Sequence, residues 1–372
     1  SIDKPVRIAM VLDTYDDARN GAVISTQRFT KLLRSNGNKV IIVSTGKPVE
    51  DKVLLKEFYP PFLFIRNIMK RMKFTFAWPN NEKLIDVIDK VDIVHNHFPF
   101  YLGYKAIKIA KQKNKPIVST FHVQAEQIAN NIGIYNKQII KFIYKIFIHT
   151  IYSKSNIVVC PSDFAAQEIK RYGCTTPTVV ISNGVISEYR DLHLEKNENY
   201  FTLLTVGRNA AEKRQDMLIN AVAQSKYKNK IRVQIIGDGP KRKYLEGLAN
   251  KLLPNQVEFK YLPTEKVIEY YNKADLYVHC AAVEVECMTA LEAIACGLPA
   301  LISDSDLSAA KQFAINKEFV FSDIKNLAEK IDFFYENRDL LADAKTQYLE
   351  KSKQFSIEKS YQKLINTYNS LL

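Results

Sequence analysis

The feature that most constrains this chain is a repeated alternation of short apolar runs with stretches of helical periodicity. It occurs in two separate series. Apolar runs of about four to eight residues bounded by turn residues read as strands buried on both faces. The first series places them at residues 6–12, 39–43, 92–95, 116–120 and 156–160, with a helix over about 25–35. The second places them at residues 200–207, 232–237, 257–259, 274–278 and 299–302. Residues 186–200 between the series are polar and charged and read as a linker. Strands that alternate with helices build parallel sheets from βαβ units, so the expected class is α/β with two doubly wound domains. A length of 372 residues suits two such domains better than one. The last residues, about 356–372, have the spacing of an amphipathic helix.

Charge is distributed unevenly between the two series. Residues 1–185 hold 27 Lys and Arg against 14 Asp and Glu, and residues 186–372 hold 26 of each. The whole excess of +13 therefore lies in the first half. A basic half implies an anionic partner: a phosphorylated ligand, an anionic membrane surface or nucleic acid. No run of about 18 uncharged apolar residues occurs, so no membrane-spanning helix is expected. The opening Ser1-Ile2-Asp3-Lys4-Pro5 does not read as a signal peptide. Five cysteines without a Cys-x-x-Cys pair are expected to be reduced thiols filling the core.

Several residues with chemical capacity fall at the expected carboxyl ends of strands, where open α/β sheets bind ligands. Gly207-Arg208 ends the first strand of the second series, and Glu212-Lys213 follows. Arg offers a fork of donors and Lys a point charge, both suited to phosphate. Gly237-Asp238-Gly239-Pro240 ends the next strand, and its glycines permit tight backbone geometry. Further on, Glu284 and Glu292 stand eight positions apart. Glu292 lies on a short helix expected over 290–296, closed by Gly297 and followed by Pro299. The first-turn N–H groups of such a helix can hold an anion, while a carboxylate in the preceding loop accepts hydrogen bonds from hydroxyls. Asp304-Ser305-Asp306 has the spacing of a metal-binding pair, but Arg208 and Lys213 already supply positive charge, and no metal ligand is expected.

The ordered set Gly207-Arg208, Glu212-Lys213, Gly237-Asp238-Gly239-Pro240 and Glu284…Glu292 resembles the signature of the retaining family-4 nucleotide-sugar glycosyltransferases. The likeness is to bacterial glycolipid (diacylglycerol) glucosyltransferases in particular. It implies the GT-B fold: two Rossmann-like domains facing each other across a cleft, with the C-terminal helix crossing back to the first. The expected domains are 1–185 plus about 356–372 for acceptor and membrane, and 186–355 for the nucleotide sugar. The resemblance assigns catalytic roles to His122, Glu284, Arg208 and Lys213. It assigns donor binding to Gly21, Arg208, Lys213, Gly237, Glu284, Glu286, Cys287, Met288, Thr289 and Glu292. Many members carry Glu-Gly-Phe-Gly where this chain has Glu284-Val285-Glu286-Cys287, and often two adjacent glycines where it has Gly21 alone. His95 is expected to be structural.

A membrane contact is expected from residues 65–73. Ile65, Ile68, Met69 and Met72 recur with helical spacing, flanked by Arg66, Lys70, Arg71 and Lys73. A basic amphipathic helix of this kind lies well in a lipid interface, with nearby Phe62, Phe64, Phe74, Phe76 and Trp78 expected to insert. The competing reading packs its apolar stripe on the chain's own sheet. Residues 139–151, apolar almost all round, are expected to be core. The resemblance implies transfer of a hexose, glucose or galactose, from a UDP-sugar with retention, and the basic first half with the 65–73 stretch favours diacylglycerol or a glycolipid as acceptor. The enzyme would need no metal or other cofactor and would sit in the cytoplasm, peripheral to the inner face of the cell membrane. One alternative is a sugar or polyprenyl-linked acceptor in polysaccharide assembly. A nucleic-acid-binding protein, motivated by the charge, lacks a recognisable motif.

Overall fold

The structure is a computed structural model that describes residues 4–17 and 19–372, with Arg71 placed by its backbone alone. The chain divides into two compact units, residues 1–183 with 358–372, and residues 184–357.

The first unit is built on a seven-stranded, all-parallel sheet. Its spatial order is Lys52–Leu54, Lys39–Ser44, Arg7–Val11, Ile93–Asn96, Ile117–Thr120, Ile157–Cys160 and Thr178–Val180. The central strands are buried on both faces, which is why they read as unbroken apolar runs. The C-terminal helix Ile357–Ser370 sets Leu364, Ile365 and Tyr368 into this unit's core beside Ile8, Met10 and Ile42. Tyr368 is wholly buried, and its hydroxyl lies 2.6 Å from His95 Nδ1. His95 is therefore held structurally, as its sequence context implies.

The second unit has a six-stranded parallel sheet in the order Val257–Lys260, Ile231–Ile236, Phe201–Val206, Leu276–His279, Ala300–Ser303 and Val320–Phe321. In each sheet the chain winds outward one way from its first strand, then crosses to that strand's other side. The reversal leaves a crevice at the carboxyl ends beside the first strand, the usual ligand position in doubly wound sheets. All five cysteines are free and buried.

Two expectations about exposed surface are corrected. The helix Leu63–Met72 turns its apolar stripe inward: Met69 is 5% exposed, and Ile65, Ile68 and Met72 are half-buried. Met69 therefore packs into the domain and does not face lipid, while Ile65, Ile68 and Met72 keep part of their surface exposed. Of the aromatic residues expected to insert, Phe62 and Phe64 are, with Leu63, each more than 60% exposed and Trp78 is exposed, while Phe74 and Phe76 are half-buried. Arg66, Lys70 and Lys73 belong to this segment, with Arg66 and Lys70 exposed, while the side chain of Arg71 lies outside the described residues. The second correction concerns the helix Lys137–Thr150. It buries Ile140, Tyr144, Phe147 and Ile148 but exposes Ile139, Phe142 and Ile146 beside Lys141 and Lys145. Aromatic contacts Phe76–Phe74, Phe74–Phe100 and Phe100–Phe147 link the two segments through one packed cluster. Among the described residues no helix is long and apolar enough to cross a membrane.

Candidate functional site

In the second unit the crevice opens between the strands Phe201–Val206 and Leu276–His279, which pair in parallel. The first strand runs into Gly207-Arg208 and the short 3-10 turn Ala211–Lys213. The second runs into Cys280, the short strand Val283–Glu284 and the helix Met288–Ala295. This topology brings together Lys213 and Glu284, which are 71 positions apart.

Glycine is required where the two strand-end loops cross. Gly237 has φ +141°, and a Cβ there would lie 1.9 Å from the carbonyl oxygen of Gly207. The Asn209 N–H then donates to the Asp238 carbonyl and the Lys241 N–H to the Asn209 carbonyl. Gly237 thus lets the loop carrying Arg208 be stitched to its neighbour. Arg208 is half-buried there, its carbonyl accepting from Gln215 Nε2 at 2.8 Å.

Glu284 is the hub of the site. Its Oε1 lies 2.5 Å from Lys213 Nζ and 3.0 Å from His279 Nε2. Burial alone would disfavour its charge, but the Lys213 ammonium and the His279 ring outweigh that and hold the carboxyl down at about 2. Burial would likewise lower Lys213, yet Glu284 and then Glu212 keep it above its ordinary value. On His279 burial is again outweighed, by Cys287 and Glu284, and the ring is pushed up to about 9. The result is an alternating array of charges on mostly buried side chains, where electrostatic interactions are stronger than in water.

The loop that delivers Glu284 to the helix has one unusual backbone feature. Cys287 precedes the helix with φ +80° and ψ 75°, a left-handed conformation that favours glycine. This explains physically why many family members carry glycine here. No side chain caps the helix, which leaves its N-terminal turn suited to an anion. Thr289 in that turn is fixed by the Tyr277 hydroxyl, 2.8 Å from its Oγ1. Glu292, one turn on, faces Tyr271, whose hydroxyl lies 3.3 Å from its Oε2. Met288 is half-buried beside them, whereas Glu286 is 1% exposed and Glu284 supplies the more accessible carboxylate. Asp304 is paired with Lys311 at 3.0 Å.

The first unit has its own crevice between Arg7–Val11 and Ile93–Asn96. The helix Gly21–Ser35 begins four residues before its expected start because the Asn20 side chain caps it, accepting from the N–H groups of Ala22 and Val23. Gly21 is thus an exposed first helical residue, and two nearby donors are already engaged. His122 is half-buried after the strand Ile117–Thr120, with Nε2 3.0 Å from His97 Nδ1. Burial holds His122 and His95 down at about 3 and His97 well below its ordinary value, so these rings are neutral at pH 7. They line a cavity of about 20 Å³ with Ser25, Thr26 and Asn183, a volume on the scale of one water.

Sequence reasoning missed His279, Tyr277 and His97. His279 ends a strand at a switch point, a position that itself signals ligand chemistry. His95, in the strand Ile93–Asn96, and His97, one residue past its end, are two positions apart, and their rings stack 4.2 Å apart.

Comparison with known proteins agrees with this construction. Residues 19–189 match the family described as Glycosyltransferase Family 4, and residues 190–351 match Glycosyl transferases group 1. The chain is 26% identical over 324 residues to the alpha-monoglucosyldiacylglycerol synthase of Streptococcus pneumoniae, covering 80% of this chain and 70% of that one. It is 24% identical over 315 residues to a GDP-mannose-dependent alpha-mannosyltransferase of Corynebacterium glutamicum, covering 81% and 73% respectively. The fold matches that of the sucrose-phosphate synthase from Thermosynechococcus elongatus, with a TM-score of 0.78 at 16% identity over 98% of this chain and 99% of that one. With a Rossmann-like strand order in each unit, and the two family matches in succession along it, the chain belongs to the family-4 glycosyltransferases of GT-B fold.

Proposed function

We propose that this glycosyltransferase moves a hexose, glucose or galactose, from a UDP-sugar to a membrane lipid such as diacylglycerol or a glycolipid, with retention. The observation that carries the donor half is the Lys213–Glu284 contact at the carboxyl end of the second sheet. Lys213 and Arg208 oppose the charge that grows on the leaving diphosphate. Glu284 accepts hydrogen bonds from the sugar hydroxyls, Glu292 from the ribose, and the Met288–Thr289 turn meets the phosphate. His122, neutral and 3.0 Å from His97, is assigned by the family resemblance to the donor sugar. Protein cations take the place that a metal would fill at the diphosphate, and no cofactor is invoked.

The lipid half of the reading rests on the basic first half and on the exposed residues Phe62, Leu63, Phe64 and Phe142 beside lysines. The names of relatives acting on diacylglycerol support it. A second reading takes GDP-mannose as donor, favoured by the relatives named for it. The deciding experiment is a donor screen that measures nucleoside diphosphate release from UDP-glucose, UDP-galactose and GDP-mannose, in EDTA, with and without diacylglycerol vesicles. The first reading expects release from a UDP-hexose, stimulated by vesicles. Release from GDP-mannose alone would replace the donor, and stimulation by soluble sugars but not vesicles would replace the acceptor.

A further inference from the structure

His279 Nε2 lies 3.2 Å from Cys287 Sγ and 3.0 Å from Glu284 Oε1, and the three ligand-capable atoms all fall within 4.8 Å of one another. A tetrahedral zinc-type ion, with bonds of about 2.0–2.3 Å, holds its ligand atoms roughly 3.2–3.8 Å apart. Movements of a few tenths of an ångström on the two histidine edges, and closure of the third edge, reach that geometry. The outer shell is also present. His279 Nδ1 faces the Tyr277 hydroxyl at 3.3 Å, and that hydroxyl is held by the Val206 carbonyl at 3.1 Å. A ligating imidazole needs such a partner on its second nitrogen to fix the ring and present the other. Cys287 and His279 are each 4% exposed, and Glu284 and Lys213, 12% and 20% exposed, form the more accessible side of the cluster.

We propose that His279, Glu284 and Cys287 form a binding site for a thiophilic divalent cation of the zinc type. The cation replaces the protons shared among these groups and takes Glu284 away from Lys213. A thiolate, an imidazole and a single carboxylate are ligands suited to zinc or cobalt and poorly suited to magnesium or calcium. Metal occupation is therefore inhibitory for turnover and separate from any requirement of the reaction. That consequence rests on the donor-site reading of the loop, but binding of the cation itself does not.

The test titrates the purified full chain with Co²⁺ and follows the thiolate-to-cobalt charge-transfer band and the visible bands of a four-coordinate ion, with Zn²⁺ as competitor. Cys287→Gly suits the left-handed backbone and Cys287→Ser keeps the side-chain volume, so one variant tolerates what the other strains. The other four cysteines remain as internal controls. One equivalent of Co²⁺ should give the thiolate band in the wild type, displaced by Zn²⁺. Both variants should lose the band and bind at least about 100-fold more weakly, since loss of a ligand exceeds loss of an outer-shell partner. Absence of a thiolate band in the wild type, or its persistence in the variants, would overturn the site. In the same samples turnover of the nucleotide-sugar donor should fall when Zn²⁺ is bound. A normal cobalt spectrum with unchanged turnover would uphold the cation site and overturn the donor-site reading.

Discussion

Lys213 Nζ sits 2.5 Å from Glu284 Oε1, with both side chains at most one-fifth exposed. Each neutralises a charge that the other would leave half-buried. Lys213→Met alone strands the Glu284 carboxylate, and Glu284→Gln alone strands the ammonium. Each single variant is expected to lose about 2–4 kcal/mol of stability, and the double variant less than the sum, because the stranded charge is then gone. Denaturant unfolding of the four proteins measures this. Turnover should fall by about 10²–10³ in each single variant and in Arg208→Ala, the scale expected when one transition-state contact is removed. Additive losses in stability would show that the pair is not coupled.

Glu292 should act on binding more than on chemistry. It lies on the helix Met288–Ala295 beside Tyr271, whereas Glu284 lies in the short strand before that helix beside Lys213. Glu292→Gln exchanges charge-assisted acceptance for neutral acceptance, a difference of about 1–2 kcal/mol. Calorimetry should show UDP affinity down by about tenfold, with Glu284→Gln binding UDP nearly as the wild type does. Unchanged UDP affinity in Glu292→Gln would remove the ribose role.

The fold was largely legible from residues, and the site partly so. Strands buried on both faces leave continuous apolar runs, so the central strands of both sheets can be read from the sequence, whereas the short edge strands Lys52–Leu54, Thr178–Val180 and Val320–Phe321 were missed and residues 186–200, read as a linker, belong to the second unit. The order Arg208, Lys213, Glu284, Glu292 follows from strand ends, and the structure pairs two of them. What periodicity cannot give is the identity of the surface that an apolar stripe meets. The stripe of Ile65, Ile68, Met69 and Met72 fits protein and lipid equally, and the structure turns it to protein. The helix Lys137–Thr150 is largely apolar apart from a line of Lys137, Lys141, Lys145 and His149, and the width of its apolar surface hides that Ile139, Phe142 and Ile146 stand exposed beside that line. His279 went unnoticed because its partners, Glu284 and Cys287, belong to a loop whose path a sequence does not show.

Asp13 should make the stability of the first unit depend on pH. It follows the strand Arg7–Val11 and is 1% exposed. Its Oδ2 accepts the Ala77 N–H at 3.0 Å, while Oδ1 has no partner among the described residues. Burial outweighs the backbone hydrogen bonds and pushes the carboxyl up to about 7. The unfolded value is about 3.9, so between the two the folded chain holds a proton that the unfolded chain has lost. Stability from this group is therefore present at about pH 4 and lost as pH rises through about 7, at a slope of up to about 1.4 kcal/mol per pH unit. Asp13→Asn removes the titration. Denaturant midpoints should favour the variant increasingly from pH 5 to pH 8, and parallel curves for the two proteins would refute the assignment.

The last prediction separates two contributions to membrane attachment. Arg66, Lys70, Arg71 and Lys73 can each supply about 1 kcal/mol near an anionic surface, screened over a Debye length of roughly 8 Å. The exposed Phe62, Leu63 and Phe64, and Ile139, Phe142 and Ile146 on the helix Lys137–Thr150, add apolar burial that salt does not screen. Full burial of such a side chain contributes about 1.5–3 kcal/mol, and interfacial insertion gives part of that. Replacing the four basic residues with Gln should weaken sedimentation with anionic vesicles at low salt and matter little at high salt. Phe62→Ser with Phe64→Ser, or Phe142→Ser, should weaken it at both. Met69→Ala serves as the contrast: it hollows the domain and should cost about 2–5 kcal/mol of stability, with vesicle binding of the folded protein unchanged. UDP binding should survive all the surface changes. If the phenylalanine variants sediment like the wild type while Met69→Ala does not, the buried stripe is the lipid contact after all, and the helix must leave the domain to make it.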